Sequence, residues 1–150
     1  MNFERSIVEI IRKRYSCRTY SNEKLDNKSI KKINDFLVIS DIGPFNTTAK
    51  FILVDTKRKN EEIKIRSYGL IAGSRYFIVG IMKKDSLNYT DFGYLMEKKI
   101  LKATDLNYGT VWLGKSFSAD NFSKLVNLSE DEIIPAISPI GKIASKRRSF

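Results

Sequence analysis

The sequence predicts an α+β domain with a central mixed sheet of about four strands flanked by helices. Three observations predict it. Apolar residues recur at three- and four-residue spacing in several stretches, which marks amphipathic helices. Short runs rich in β-branched and aromatic residues read as strands, above all Arg75 to Met82 (RYFIVGIM), whose unbroken apolar character implies burial on both faces. The two kinds of segment are mixed rather than strictly alternating, which sets the class as α+β. With 150 residues, 42% of them hydrophobic and 11% aromatic, the chain fills one core and forms a single domain over 1–150.

From Phe3, the apolar positions Phe3, Ile7, Ile10, Ile11 and Tyr15 define one face of a first helix, ending in Arg12-Lys13-Arg14. Cations in a last turn suit the negative end of the helix dipole. Ser16 to Tyr20 then reads as extended chain. A second helix follows Asp26 and Asn27 as candidate caps and buries Ile30, Ile33, Phe36 and Leu37. Gly43-Pro44 breaks the chain, and Lys50 to Asp55 (KFILVD) is a strand. Residues 56–66 form a polar connection or a short exposed helix. After the strand at Arg75 to Met82, a long helix runs from Thr90 or Asp91 to about Leu106, with Phe92, Leu95, Met96, Lys99, Ala103 and Leu106 on or beside one stripe. Asn107-Tyr108-Gly109 supplies a left-handed stop. Thr110 to Leu113 is a strand and Ala119 to Val126 a short helix. Ile133 to Ile143 is a strand whose Pro135 and Pro139 assign it to an edge or an irregular path.

Composition excludes several chemistries. A chain with no histidine and one cysteine cannot build a Ser-His-Asp triad, a Cys-His pair or a tetrahedral zinc site from its own side chains. No catalytic side chain and no metal ligand set is therefore assigned. The lone Cys17 cannot form an internal disulfide, and a reducing cytoplasm is the expected setting. Apolar runs fall far short of the ~20 residues that span a bilayer, so no membrane partner is expected. The net charge of +10 comes from 27 Lys and Arg against 17 Asp and Glu, scattered along the chain with Lys outnumbering Arg two to one. That reads as compositional bias, and without a recognisable motif no nucleic-acid partner is expected.

Arg14-Tyr15-Ser16-Cys17-Arg18 is the segment richest in chemistry. In extended chain, alternate side chains share a face, so Arg14, Ser16 and Arg18 point one way and Tyr15 and Cys17 the other. One face then offers only donors and cations over about 13 Å, a match for an elongated anion with a phosphate at one end and a polar ring at the other. The same residues also read as the solvated basic end of a helix. Cys17 reads as a small buried residue.

The stretch IIRKRYSCRTYSNEKLDNKSIKKINDFL resembles the N-terminal signature of the FMN-dependent nitroreductase family: a helix, an Arg-x-Ser-x-Arg segment, an aromatic and a second helix. DFGYLMEKKILKATDLNYGTVWLGKSF is similar to the family's central helix and following strand, and EDEIIPAISPIGK to the next strand. The similarity runs in order over nearly the whole chain. It implies that Arg14 and Ser16 hold the FMN phosphate and ribityl chain, with Tyr15 contributing mainly backbone, and that Arg18 lies beside the pyrimidine end of the flavin. There a guanidinium stabilises the negative charge of the reduced ring. It also implies that the turn containing Gly114 and Lys115 brings backbone toward flavin N5; taken alone, Gly114 reads rather as an ordinary strand-to-loop glycine, with Trp112 as core filler.

Two departures accompany the resemblance. The family's Asn and Gln after the second helix reduce here to Asn46, either a flavin contact or a turn residue bonding its own backbone. The family continues past the last strand into a phosphate-binding cation and often a subunit-embracing tail, whereas this chain stops at Phe150; Lys146 and Arg147 are either that clamp or a basic tail. The expectation is a domain short at its C-terminus. The function implied is transfer of a hydride from NADH or NADPH through FMN to a nitroaromatic, quinone or similar small-molecule acceptor, by a ping-pong route in a homodimer. The alternatives are a shortened member that binds flavin or a partner without turnover and, less in keeping with the residues, a small basic nucleic-acid binder.

Overall fold

The computed structural model describes residues 1–57, 71–85, 88–114 and 119–145. Its elements are α1 (Ile7–Lys13), α2 (Asn27–Leu37), β1 (Lys50–Asp55), β2 (Tyr76–Lys83), α3 (Tyr89–Asp105), β3 (Gly109–Thr110), α4 (Ala119–Leu125) and β4 (Glu132–Gly141). The strands form one four-stranded sheet in the order β1-β2-β4-β3. All three ladders are antiparallel. Parallel pairing enters through single bridges, Ser16 to Thr110 and Thr19 to Ala72, made by the extended segment after α1.

The period of two in β2 explains the layers. Tyr76, Ile78 and Met82 belong to one core cluster, with the α2 residues Ile33, Phe36 and Leu37 and the α3 stripe Phe92, Leu95, Met96, Ile100 and Ala103. Phe77, Val79 and Ile81 belong to a second cluster on the opposite face, with Val111, Leu113, Phe122 and Ile137. A strand buried on both faces has to be apolar at every position, which is what its run of residues shows. Each large side chain so buried stabilises the fold by about 1.5–3 kcal/mol.

Helix ends are chemically specified. Asp26 caps α2, its side chain accepting from the Ser29 amide at 2.7 Å. Lys99, on the buried stripe of α3 and only 1% exposed, donates to the carbonyls of Phe36 at 3.0 Å and Ile39 at 2.8 Å. A cation at that end satisfies orphan carbonyls and complements the α2 dipole. Asn107 takes φ 65° after α3, the left-handed stop expected there.

Three expectations are corrected. The first helix begins at Ile7 rather than Phe3, and Ile10 is its buried residue, while Ile7 and Ile11 face outward. Tyr15 and Cys17 do not share a burial state: Cys17 is buried and Tyr15 exposed. Of the two alternatives for the proline-bearing strand, the edge is overturned and the irregular path is observed: β4 is an inner strand with a break in its register. Its register with β2 shifts between Gly80 and Met82, so that Ile134 and Pro135 together face Ile81. Ile137 exchanges both backbone bonds with Leu113 at 2.9 and 3.0 Å. By the antiparallel alternation Pro139 turns its nitrogen to the same side, where β3 has already left the ladder and the Val111 amide bonds Ser138 Oγ instead. Pro135 thus sits in the register shift, and Pro139 where the pairing with β3 is interrupted.

Candidate functional site

The site grows from the end of α1. Arg14 caps the helix, its amide still bonding Ile10 O while its own ψ of 131° turns the chain into extended backbone. The Cys17 amide then donates to Thr110 O at 2.8 Å, beside β3, and the Tyr20 amide to Ala72 O at 2.9 Å, which lays Thr19 and Tyr20 along Ala72. Cys17 packs where Gly109 lacks a side chain; a Cβ on Gly109 would lie 2.6 Å from Cys17 Sγ. Tyr20 Oη donates back to Cys17 O at 2.8 Å, and burial pushes its phenol above the ordinary value. The extended segment is therefore held at both ends.

A cavity of about 250 Å³ opens between α1, the end of α3 and β3. Lys13, Arg14 and Tyr15 form one wall, and Asn107, Tyr108 and Thr110 the facing one. Among the described residues, two cations and no carboxylate line it. Lys13 Nζ donates to Asn107 Oδ1 at 2.6 Å, bridging the rim. Two buried atoms of the wall residues, Arg14 Nη1 and Thr110 Oγ1, have no hydrogen-bond partner. A buried polar group left unpaired costs about 1–3 kcal/mol. Arg14 Nε stands 3.6 Å from Glu97 Oε1, and the other oxygen of Glu97 accepts from Trp112 Nε1 at 2.7 Å.

The expected site residues separate into three groups. Arg14 and Tyr15 line the cavity, and Ser16 adjoins it through its bridge to Thr110. Arg18 is exposed, its Nη1 reaching Ser16 O at 3.4 Å. Gly114 lies four residues past Thr110 and is exposed; a Cβ there would meet nothing within 4 Å among the described residues. Asn46 lies elsewhere, in a turn with φ 67° whose amide donates to Gly43 O at 2.9 Å. That turn packs on Asp91 at the start of α3, and the 13 residues from Asp91 to Thr104 separate it from the cavity by about 20 Å of helix. Lys115, Lys146 and Arg147 lie outside the described residues.

Sequence reasoning did not find Lys13, Thr110 or Glu97. Lys13 carried a signal only as a helix-end cation, and Glu97 carried none. Trp112 was legible as an apolar residue but not as a donor to Glu97.

A four-stranded antiparallel sheet with helices packed on both faces places this chain in the nitroreductase-like fold class. Solved structures share that fold. A nitroreductase with bound FMN from Desulfitobacterium hafniense DCB-2 superposes with a TM-score of 0.72 at 19% identity, over 96% of this chain and 92% of that one. A nitroreductase family protein from Clostridium novyi NT gives 0.67 at 22% identity, over 94% and 87%. A protein described as a putative nitroreductase, in complex with FMN, from Desulfovibrio desulfuricans gives 0.64 at 18%, over 98% and 94%. The chain itself belongs to the family described as putative TM nitroreductase, whose model matches residues 6–148. No curated protein matches it. Among the described residues, no helix is long and apolar enough to cross a membrane.

Proposed function

We propose that this protein is an FMN-dependent oxidoreductase that accepts a hydride from NADH or NADPH and passes it to a small acceptor such as a nitroaromatic or a quinone. The observation that carries the reading is the pair of unpartnered buried atoms, Arg14 Nη1 and Thr110 Oγ1, at a cationic cavity in a chain of the nitroreductase family. Lys13 and Arg14 would hold the phosphate, and Thr110 and Ser16 the polyhydroxyl chain. Bound FMN supplies the hydride chemistry, so the absence of histidine is no obstacle. The residues of the chain bind and orient the cofactor and supply a positive field, to which Arg18 adds an exposed cation at the outer end of the segment.

The cavity supports a homodimer as well. At about 250 Å³ it is smaller than the ~300–1,000 Å³ of typical cofactor sites, so one chain supplies part of such a site. Beside it, α1 leaves Ile7, Val8 and Ile11 exposed, with Tyr15 continuing the stripe one turn on. A second copy covering this face would complete the wall and bury the stripe.

The test is the visible spectrum of the purified protein after incubation with FMN. Retained yellow colour that bleaches anaerobically on adding NADH or NADPH, and returns with a quinone, is the expected result. Colour without bleaching would replace the enzyme by a flavin-binding module, and a colourless protein overturns both.

A further inference from the structure

We infer that Glu97 is a positioning residue for anion binding: it holds the Arg14 guanidinium in the cavity wall before the anion arrives, and is itself held by Trp112. The inference rests on the flavin reading above and adds to it a residue with no part in that reading. Glu97 lies in the middle of α3, and its two oxygens reach Arg14 at the end of α1 and Trp112 two residues past β3.

The two contacts differ in kind. At 2.7 Å the bond from Trp112 Nε1 is a full hydrogen bond to a charged acceptor, and it fixes the carboxylate. At 3.6 Å the Arg14 pair is an ion pair outside hydrogen-bond range. The charge of Glu97 therefore sets where the guanidinium stands without consuming the N–H groups that an incoming anion needs. Nη1 is left buried and unpartnered. Without a countercharge, a long flexible cation in a partly buried wall turns out to solvent, where its hydration is restored. Binding would then have to pull it back, and that ordering cost is the one preorganisation removes.

The geometry also ties together the two segments whose flavin contacts the sequence resemblance implies. Arg14 begins the Arg-x-Ser-x-Arg segment, and Trp112 stands two residues before Gly114. Through Glu97 the orientation of one is linked to the placement of the other.

A double-mutant cycle on FMN affinity, followed by quenching of flavin fluorescence, tests this. Glu97→Ala is expected to weaken FMN binding by about three- to fivefold, the size of a partly exposed ion pair, and to change it by less than about twofold in an Arg14→Ala background. Glu97→Gln keeps an oxygen for Trp112 Nε1 but not the charge, and carries the same cycle should the alanine variant not fold. An equal loss in both backgrounds means that Glu97 acts on the fold rather than through Arg14. Unchanged or tighter binding by Glu97→Ala means that its carboxylate competes with the anion. Either result overturns the inference and leaves the flavin reading standing, whereas a parent protein that binds no FMN overturns both.

Discussion

Gly43 and Asp91 approach so closely that a Cβ built on the glycine would lie 2.2 Å from the Asp91 carboxyl carbon. Asp91 is fully buried and accepts from the amides of Phe45 and Thr47, both at 2.8 Å, and from Thr47 Oγ1 at 2.6 Å. One carboxylate thus shapes the loop that leads from α2 into β1. Gly43→Ala is expected to cost about 1–3 kcal/mol, the usual penalty of forcing a methyl into a packed site. Chemical denaturation of parent and variant checks it, and equal midpoints would contradict the contact.

The same carboxylate belongs to a group that governs acid stability. Asp55, Asp91 and Asp105 all sit below the ordinary value of 3.8. Burial alone would raise each. It is outweighed at Asp55 by Arg75 and the Lys57 amide, at Asp91 by Thr47 and the Phe45 amide, and at Asp105 by the Glu4 amide, Lys102 and Arg5. Because the folded values are depressed, the unfolded chain binds more protons as pH falls. Their contribution is present above about pH 4 and is lost as pH drops through the folded values. Melting temperature should fall steeply below about pH 4, and Asp105→Asn should lower it at neutral pH while flattening that slope. A melting temperature unchanged down to about pH 2.5 would contradict these networks.

The exposed stripe on α1 predicts an oligomeric state. Ile7, Val8 and Ile11 are 42%, 51% and 55% exposed on a helix that buries Ile10 alone. Sedimentation equilibrium is expected to give the mass of two chains. Ile11→Glu should give that of one, with an unchanged far-ultraviolet circular dichroism spectrum, because the substituted side chain touches water rather than the core. A parent protein that is monomeric with a full complement of flavin would contradict the shared site.

How much of this was legible in the sequence depended on whether a feature has a period. Strand β2, apolar on both faces, and the α3 stripe through Lys99 were readable because burial repeats at two and at three to four residues. Lys99 itself fitted the stripe only as an apparent exception, and the Phe36 and Ile39 carbonyls that satisfy it come from another helix. The β4 prolines misled because their tolerance depends on neighbours: a register shift at Pro135 and a strand that has left the ladder at Pro139. The apolar face of α1 was readable, but not that it points outward, since periodicity records a face and not what covers it. Arg14 was found through its segment. Glu97 was not, because one acid in a chain with 29% charged residues has no pattern, and its partners are distant in sequence.

The central claim is that the cavity beside Arg14 receives the phosphate end of FMN, and calorimetric titration of the flavin-free protein with FMN and with riboflavin, which lacks the phosphate, tests it most directly. FMN is expected to bind at least about tenfold more tightly than riboflavin, since a charge-assisted bond to phosphate is worth about 1.5–3 kcal/mol, and Arg14→Ala to remove most of the difference. Equal affinities for the two flavins, or a preference that survives Arg14→Ala undiminished, would contradict it.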